Sequence, residues 1–218
     1  HLFNDLQLNG DNLVSSFGGL AGRASQIFDL NGPSMALDTA CSSSMMAIHQ
    51  AINALRSGDC QMAVAGGVNV SLHGSKFVGL RHLLSTSGVS QPFADSDGYV
   101  SSEGVGTVLL KPLSQAKADN DFIYGVIKAS AVGHAAASDG YCVPSAAQQA
   151  GLMTQCLKAG QIQSSQVDYI EAAAMGSPLA DRAEFAALSS VFDSSSKAPK
   201  KPLYLGTVKS NVGHCEAA

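Results

Sequence analysis

No stretch of this 218-residue chain holds a run of basic residues longer than Lys200-Lys201, and the formal net charge is −4. A nucleic-acid surface needs a concentrated positive field, so that class of partner is not expected. Apolar runs are also short. None reaches the roughly 18 residues that read as a membrane span, and the first residues lack the basic-then-apolar pattern of a secretory leader. No CxxC pair or metal-finger spacing links the five cysteines, so no metal site is expected. An odd cysteine count without an export signal points to reduced thiols in the cytoplasm. Tryptophan is absent and only 14% of positions are charged, yet 45% are hydrophobic, enough for a real core. The length suits one domain or two small halves.

The stretch Gly32 to His49 organises the remainder. It reads as a short buried strand (Met35 to Asp38), a tight turn at Cys41, and an amphipathic helix to about Arg56. Ser42, Ser43 and Ser44 open that helix, and Ala47, Ile48, Ala51 and Leu55 recur at helical spacing. Unpaired N–H groups and the helix dipole favour a thiolate at such a turn, which is how a cysteine becomes a nucleophile. The alternative is a buried thiol that packs as a small apolar residue.

Elsewhere the pattern alternates between strand and helix, which specifies an α/β fold with a largely buried sheet. Residues His1 to Ser16 are polar and mixed, and Arg23 to Leu30 has helical spacing that ends at Asn31-Gly32-Pro33. Met62 to Val68 and Gly104 to Leu110 read as fully buried strands. Gly66-Gly67 in the first marks either a close backbone approach or a bulge. Leu72 to Gly98 is a long loop-rich excursion of the kind that serves a site or an interface. The charged run Lys117 to Asp121 divides the chain, giving halves 1–117 and 118–218. The second half predicts strands at Ile123 to Ala129, Val167 to Glu171 and Tyr204 to Lys209, with helices at Ala146 to Ala159 and Asp181 to Val191. Ser194 to Lys201 reads as a solvated loop.

The segment Asp38-Thr39-Ala40-Cys41-Ser42-Ser43-Ser44 resembles the active site of β-ketoacyl synthases, in particular the ketosynthase domains of modular polyketide synthases. Three more stretches resemble that family in the same order. They are Ala65-Gly66-Gly67-Val68-Asn69, Asp97-Gly98-Tyr99 with Glu103-Gly104, and Val208-Lys209-Ser210-Asn211-Val212-Gly213-His214. The resemblance implies the thiolase-like fold, two similar halves in α/β/α/β/α layers. It implies an acyl carrier protein as partner, whose phosphopantetheine arm delivers the substrate, and a homodimer. No cofactor or metal of the chain's own is implied. Because the chain starts without Met at His1 and Glu216-Ala217-Ala218 only opens a helix, a piece of a longer domain is expected.

The family reaction is a decarboxylative Claisen condensation, which needs a thiolate, donors for the enolate and an oxyanion hole. By resemblance, Cys41 is the nucleophile, His214 the second catalytic histidine and Lys209 the supporting lysine, with Glu216 and Asn211 beside them. A helix-capping role is the alternative for His214. The family's first histidine, in Glu-Ala-His-Gly-Thr-Gly-Thr, is replaced here by Ala173 in Glu171-Ala172-Ala173-Ala174-Met175-Gly176-Ser177. Alanine cannot donate to an enolate. His134 lies in another loop and is not expected to substitute. Ser101-Ser102, where relatives often carry Arg-Gly, is a smaller departure. Acylation of a thiolate does not need the lost donor, so the expectation is a non-elongating, transacylating ketosynthase, as found in assembly lines with acyltransferases acting in trans. The alternatives are a fully condensing synthase, with His214 doing both jobs, and an inactive structural or docking remnant.

Overall fold

The computed structural model describes residues 17–135, 140, 143–193 and 202–218. The readings of 1–16 and 194–201 and the thiol of Cys142 lie outside the described residues. The elements in order are helix α1 (Phe17–Ile27), α2 (Ser43–Ser57), strand β1 (Ala63–Asn69), α3 (Ser75–Leu80), β2 (Gly104–Leu110), α4 (Leu113–Ala118), α5 (Ala146–Ala159), β3 (Tyr169–Glu171), α6 (Pro178–Phe192), β4 (Tyr204–Gly206) and α7 (Lys209–Val212). No helix among the described residues is long and apolar enough to cross a membrane.

Two small sheets carry the architecture. β1 and β2 pair antiparallel from Ala63↔Leu110 to Asn69↔Gly104, and β3 and β4 pair parallel from Tyr169↔Tyr204 to Glu171↔Gly206. α2 packs on β1, and α5 on α6. Local chemistry explains the helix ends. Gly58 closes α2 in the left-handed region, at φ 83°, and returns its N–H to Ala54 O. Ser145 caps α5 by accepting from Gln148 N, and Pro178 opens α6 where a missing N–H costs nothing.

The buried residues explain which side of each sheet matters. Ala65 and Asn69 of β1 are buried, whereas Val64 and Val68 are exposed. Because side chains alternate along a strand, the first set faces α2 and the second the opposite side. Val105 and Leu109 pair with Val68 and Val64 and are exposed with them. The expectation that both strands are buried on both faces is therefore corrected: α2 and the 217–218 segment lie against one side of β1, and Val64, Val68, Val105 and Leu109 on the other side are exposed. Two other predicted strands, Met35 to Asp38 and Ile123 to Ala129, carry no ladder, because no neighbouring strand among the described residues offers them partners. Tyr204 to Lys209 also divides, with β4 ending at Gly206 and α7 starting at Lys209.

Gly67 settles the reading of the glycine pair. A Cβ there would overlap Ala217 O and lie 2.7 Å from Ala218 Cα and 2.9 Å from Ser44 Cβ. The bare backbone is thus what lets the first turn of α2 and the 217–218 segment approach β1 together. Gly67→Ala is expected to lower stability by about 1–3 kcal/mol through overpacking, read as a fall in thermal midpoint; an unchanged midpoint would contradict the close approach.

Candidate active site

The turn that presents Cys41 is built by side chains bonding backbone. Asp38 Oδ1 accepts from Ala40 N at 3.0 Å, and Ser43 Oγ accepts from Thr39 N at 3.0 Å while donating to Ala40 O at 2.6 Å. Ser42 Oγ donates to Thr39 O at 2.9 Å. These bonds hold Ala40 at φ 53°, a left-handed conformation that costs a non-glycine residue about 1–2 kcal/mol. Short polar side chains are favoured here because they compete for backbone groups where no ladder exists. The sequence Asp-Thr-Ala-Cys-Ser-Ser is therefore a recipe for this elbow.

The second wing comes from the other end of the chain. Gly213, at φ 79°, turns out of α7, and a Cβ on it would sit 2.8 Å from Val100 O. His214 N then donates to Val100 O at 2.8 Å and His214 O accepts from Ser102 N at 3.0 Å. The imidazole is buried against the equally buried Tyr99 ring, with centroids 4.8 Å apart and planes at 58°. Glu216 N donates to His214 Nδ1 at 2.9 Å. A nitrogen that accepts carries no proton, so the neutral ring bears its hydrogen on Nε2. The backbone of His214 thus pairs with residues 100–102, while its side chain accepts from the N–H two residues on, a contact that a capping residue also makes.

Electrostatics link the two wings. Burial pushes the His214 imidazole below its ordinary range, nearby Lys209 pushes it the same way, and Glu216 partly opposes them. The ring is therefore a neutral donor near pH 7. Cys41 is accessible to solvent as a residue, but the protein crowded round its sulfur pushes the thiol up, and Glu216 adds to this. Its own backbone N–H and Lys209 pull the other way and do not win. The expectation of a thiolate favoured by the turn alone is corrected: desolvation outweighs those donors. Tyr99, which sequence reading passed over except as part of Asp-Gly-Tyr, has its hydroxyl pushed up to about 12 by burial and by the charges of Glu216 and Cys41. It stays a proton donor. Asp97 positions it: its carboxylate accepts from Ser85 Oγ, Thr86 N and Ser87 N, bracing the turn whose Ser85 N donates to Tyr99 O.

Ala173 sits in a loop held open and in place by α6. Glu184 accepts from Ala173 N at 2.8 Å and Ala174 N at 2.7 Å, and Asp181 accepts from Gly176 N at 3.2 Å and Phe93 N at 2.9 Å. Ala174 is fully buried at φ 36°, while Ala173 is exposed. Glu171 ties this loop to the second wing by accepting from Val208 N at 2.7 Å. Neither Glu184 nor Asp181 was singled out from sequence, although an Asp–x–x–Glu pair at the start of a helix places both carboxylates on one face, toward the preceding loop. Asn211 is exposed on α7 and contributes through its backbone N–H to Val208 O. His134 stands in the 129–135 stretch, outside the named elements. Ser101 and Ser102 are ordered by this wing: Ser101 Oγ donates to Glu216 Oε1 at 2.8 Å and Ser102 Oγ lies 3.1 Å from Cys215 Sγ. Among the described residues no cluster of three His, Cys, Asp or Glu could hold a metal ion.

A thiol presented at a helix-opening elbow on an α/β fold, with an ammonium in its electrostatic field, is an arrangement that suits a cysteine nucleophile. Comparison with known proteins makes this specific. Residues 9–116 match the family model described as β-ketoacyl synthase, N-terminal domain, and residues 124–218 match that of its C-terminal domain. The chain belongs to the β-ketoacyl synthase family. It is 45% identical over 202 residues to the polyketide synthase PksL of Bacillus subtilis, and 44% identical over 209 residues to ThaG of Burkholderia thailandensis. These alignments cover 91% and 94% of this chain but 4% of either synthase. Among solved structures, an oxazolomycin ketosynthase domain of Streptomyces albus (OzmH KS7) matches at TM-score 0.89 and 42% identity. The module 6 ketosynthase of the Bacillus subtilis bacillaene synthase matches at TM-score 0.89 and 34% identity. Each match covers 94% of this chain and 37% of the solved chain. The fold is thiolase-like.

Because burial depresses His214, the folded state resists a proton that the unfolded chain accepts near pH 6.5. Its contribution to stability is present above that pH and is lost as pH falls towards the folded value. Nitrogen-15 correlation spectra are expected to show His214 neutral with hydrogen on Nε2 at pH 7, titrating below pH 6.5; a proton on Nδ1 would contradict the geometry.

Proposed function

We propose that this chain is part of a polyketide synthase ketosynthase whose Cys41 accepts an acyl group and which does not elongate it. The observation that carries the reading is the contrast between two loops. The His214 wing keeps its packed imidazole, its fixed tautomer and Lys209, whereas the Ala173 loop is braced by Glu184 and Asp181 yet offers only a methyl group.

The acyl transfer is a thioester exchange. Cys41 gives up its proton to solvent, its sulfur attacks the carbonyl carbon of an acyl group borne on a carrier thiol, and a tetrahedral oxyanion forms. Collapse breaks the carrier C–S bond and leaves the acyl group on Cys41, while the carrier thiolate takes a proton. His214 Nε2–H and the Tyr99 hydroxyl are the nearby neutral donors for the proton bookkeeping and for developing negative charge. The raised Cys41 thiol suits this assignment, since the neutral form is favoured in the free protein. Decarboxylating a malonyl unit asks for more, namely donors that stabilise an enolate as it forms. Losing one preorganised donor of that kind costs about 100- to 1,000-fold in rate. Acylation and condensation therefore separate.

An acyl carrier protein is the proposed partner, since the acyl group must arrive as a thioester, and the phosphopantetheine arm belongs to that partner. The working unit is proposed to be a homodimer. Full condensation is the second reading, and what favours it is that His214 presents a neutral donor that could serve both steps.

The full-length protein incubated with an acyl carrier protein is expected to gain one acyl mass on Cys41, lost in Cys41→Ala, and to form no β-ketoacyl carrier when malonyl carrier is added. Ala173 is exposed and its loop is anchored through its backbone, so Ala173→His is expected to fold and to raise β-ketoacyl formation by about 100-fold or more. Normal β-ketoacyl formation by the unaltered protein would overturn the reading, and absence of acylation would favour a structural remnant.

A further inference from the structure

Lys76 lies in α3, outside every motif described above, yet its ammonium is committed to the site. Nζ donates to Asn69 Oδ1 at 2.8 Å and to Ser71 Oγ at 3.1 Å, and pairs with Glu216 Oε2 at 3.2 Å. Asn69 is itself buried and donates its amide to Ser102 O at 2.7 Å, so the ammonium is held from below by the end of β1 and, through it, by the 100–102 segment that docks His214. The Lys76 and Glu216 side chains keep only 20% and 17% of their exposure. Water and salt therefore screen this pair less than a surface ion pair, and a charge left unpaired here acts at longer range.

Glu216 faces both reacting groups. Its backbone, at φ 50°, aims the N–H at His214 Nδ1, and its second carboxylate oxygen is taken by Ser101 Oγ. We propose that Lys76 is a positioning residue for the chemistry at Cys41 and His214: its ammonium grips the Glu216 carboxylate, fixes the 214–216 turn and offsets the negative charge that faces the thiol. The proposal rests on reading Cys41 as the nucleophile. The charges around that thiol are Glu216 and Lys209, with the neutral Tyr99 hydroxyl and His214 ring beside them; Glu103 is engaged further out, accepting from Ser71 N at 2.6 Å. Glu216 disfavours the thiolate and Lys209 favours it. Lys76 is the group that touches Glu216 directly, so its removal leaves the carboxylate with the Ser101 hydroxyl and a turn held in a left-handed conformation by one fewer anchor.

The test is the pH profile of Cys41 alkylation by iodoacetamide in the full-length protein, followed by peptide mass spectrometry. Lys76→Met is expected to move the midpoint upward, giving about three- to tenfold less reaction near neutral pH. Lys76→Arg is expected to keep the original profile. Glu216→Gln is expected to move it downward, both alone and combined with Lys76→Met. Should Lys76→Met fail to fold, Lys76→Gln, which keeps a hydrogen-bond donor for Asn69 and Ser71 but removes the charge, carries the test with the same expected direction. A folded Lys76→Met protein whose profile stays put would overturn the proposal, whatever Glu216→Gln does. The reagent needs no carrier protein, so a Cys41 that alkylates as expected but never takes an acyl group would refute the acyl-transfer reading and leave this one standing.

Discussion

The backbone pairing of His214 with Val100 and Ser102 is the contact on which the site depends. The pairing joins residues more than a hundred positions apart, and everything that gives His214 its chemistry follows from it. The ring lands on Tyr99, water is excluded, and the next N–H but one reaches Nδ1. Gly213 is required because the turn passes Val100 O too closely for a side chain, and Gly67 because the following residues lie against β1. Two glycines thus set the position of one imidazole. Long-range docking of this kind also explains why charge matters here: with the His214 ring buried, Glu216 and Lys209 act on it with less screening than at an exposed site.

Much of this was legible in the sequence, for a physical reason. The Asp38 to Ser44 segment encodes its own geometry, since the Asp38, Ser42 and Ser43 side chains all bond to backbone within four residues. Helices α2 and α5 were readable from apolar spacing and end signals, and α5 keeps the predicted bounds, Ala146–Ala159. The glycine at Gly213 and the histidine after it were readable as a motif. What was not legible depends on partners distant in the chain. Met35 to Asp38 and Ile123 to Ala129 have strand-like composition, but a strand is defined by its neighbour. Asp181, Glu184 and Lys76 look like ordinary helix-surface charges until the loops they hold are folded against them. Burial of β1 and β2 was overstated for the same reason, because a continuous apolar run does not say how many faces are covered.

The Ala173 loop is the most informative departure. A loop that had simply decayed would have no need of two carboxylates accepting four backbone N–H groups. On the proposed reading, the scaffold for a donor at position 173 is kept while the donor is absent. On this account the protein separates two half-reactions that share one nucleophile: thioester exchange at Cys41, which needs a thiol and one good donor, and malonyl decarboxylation, which needs an enolate stabilised from a second direction.

Release of labelled carbon dioxide tests that separation most directly. The full-length protein, already acylated on Cys41, would be mixed with malonyl carrier protein labelled at the free carboxyl, and the gas collected over a single turnover. The account predicts a persistent acyl-enzyme and carbon dioxide release no faster than from the carrier alone. Release in step with consumption of the acyl-enzyme would contradict it and return His214 to the role of sole enolate donor.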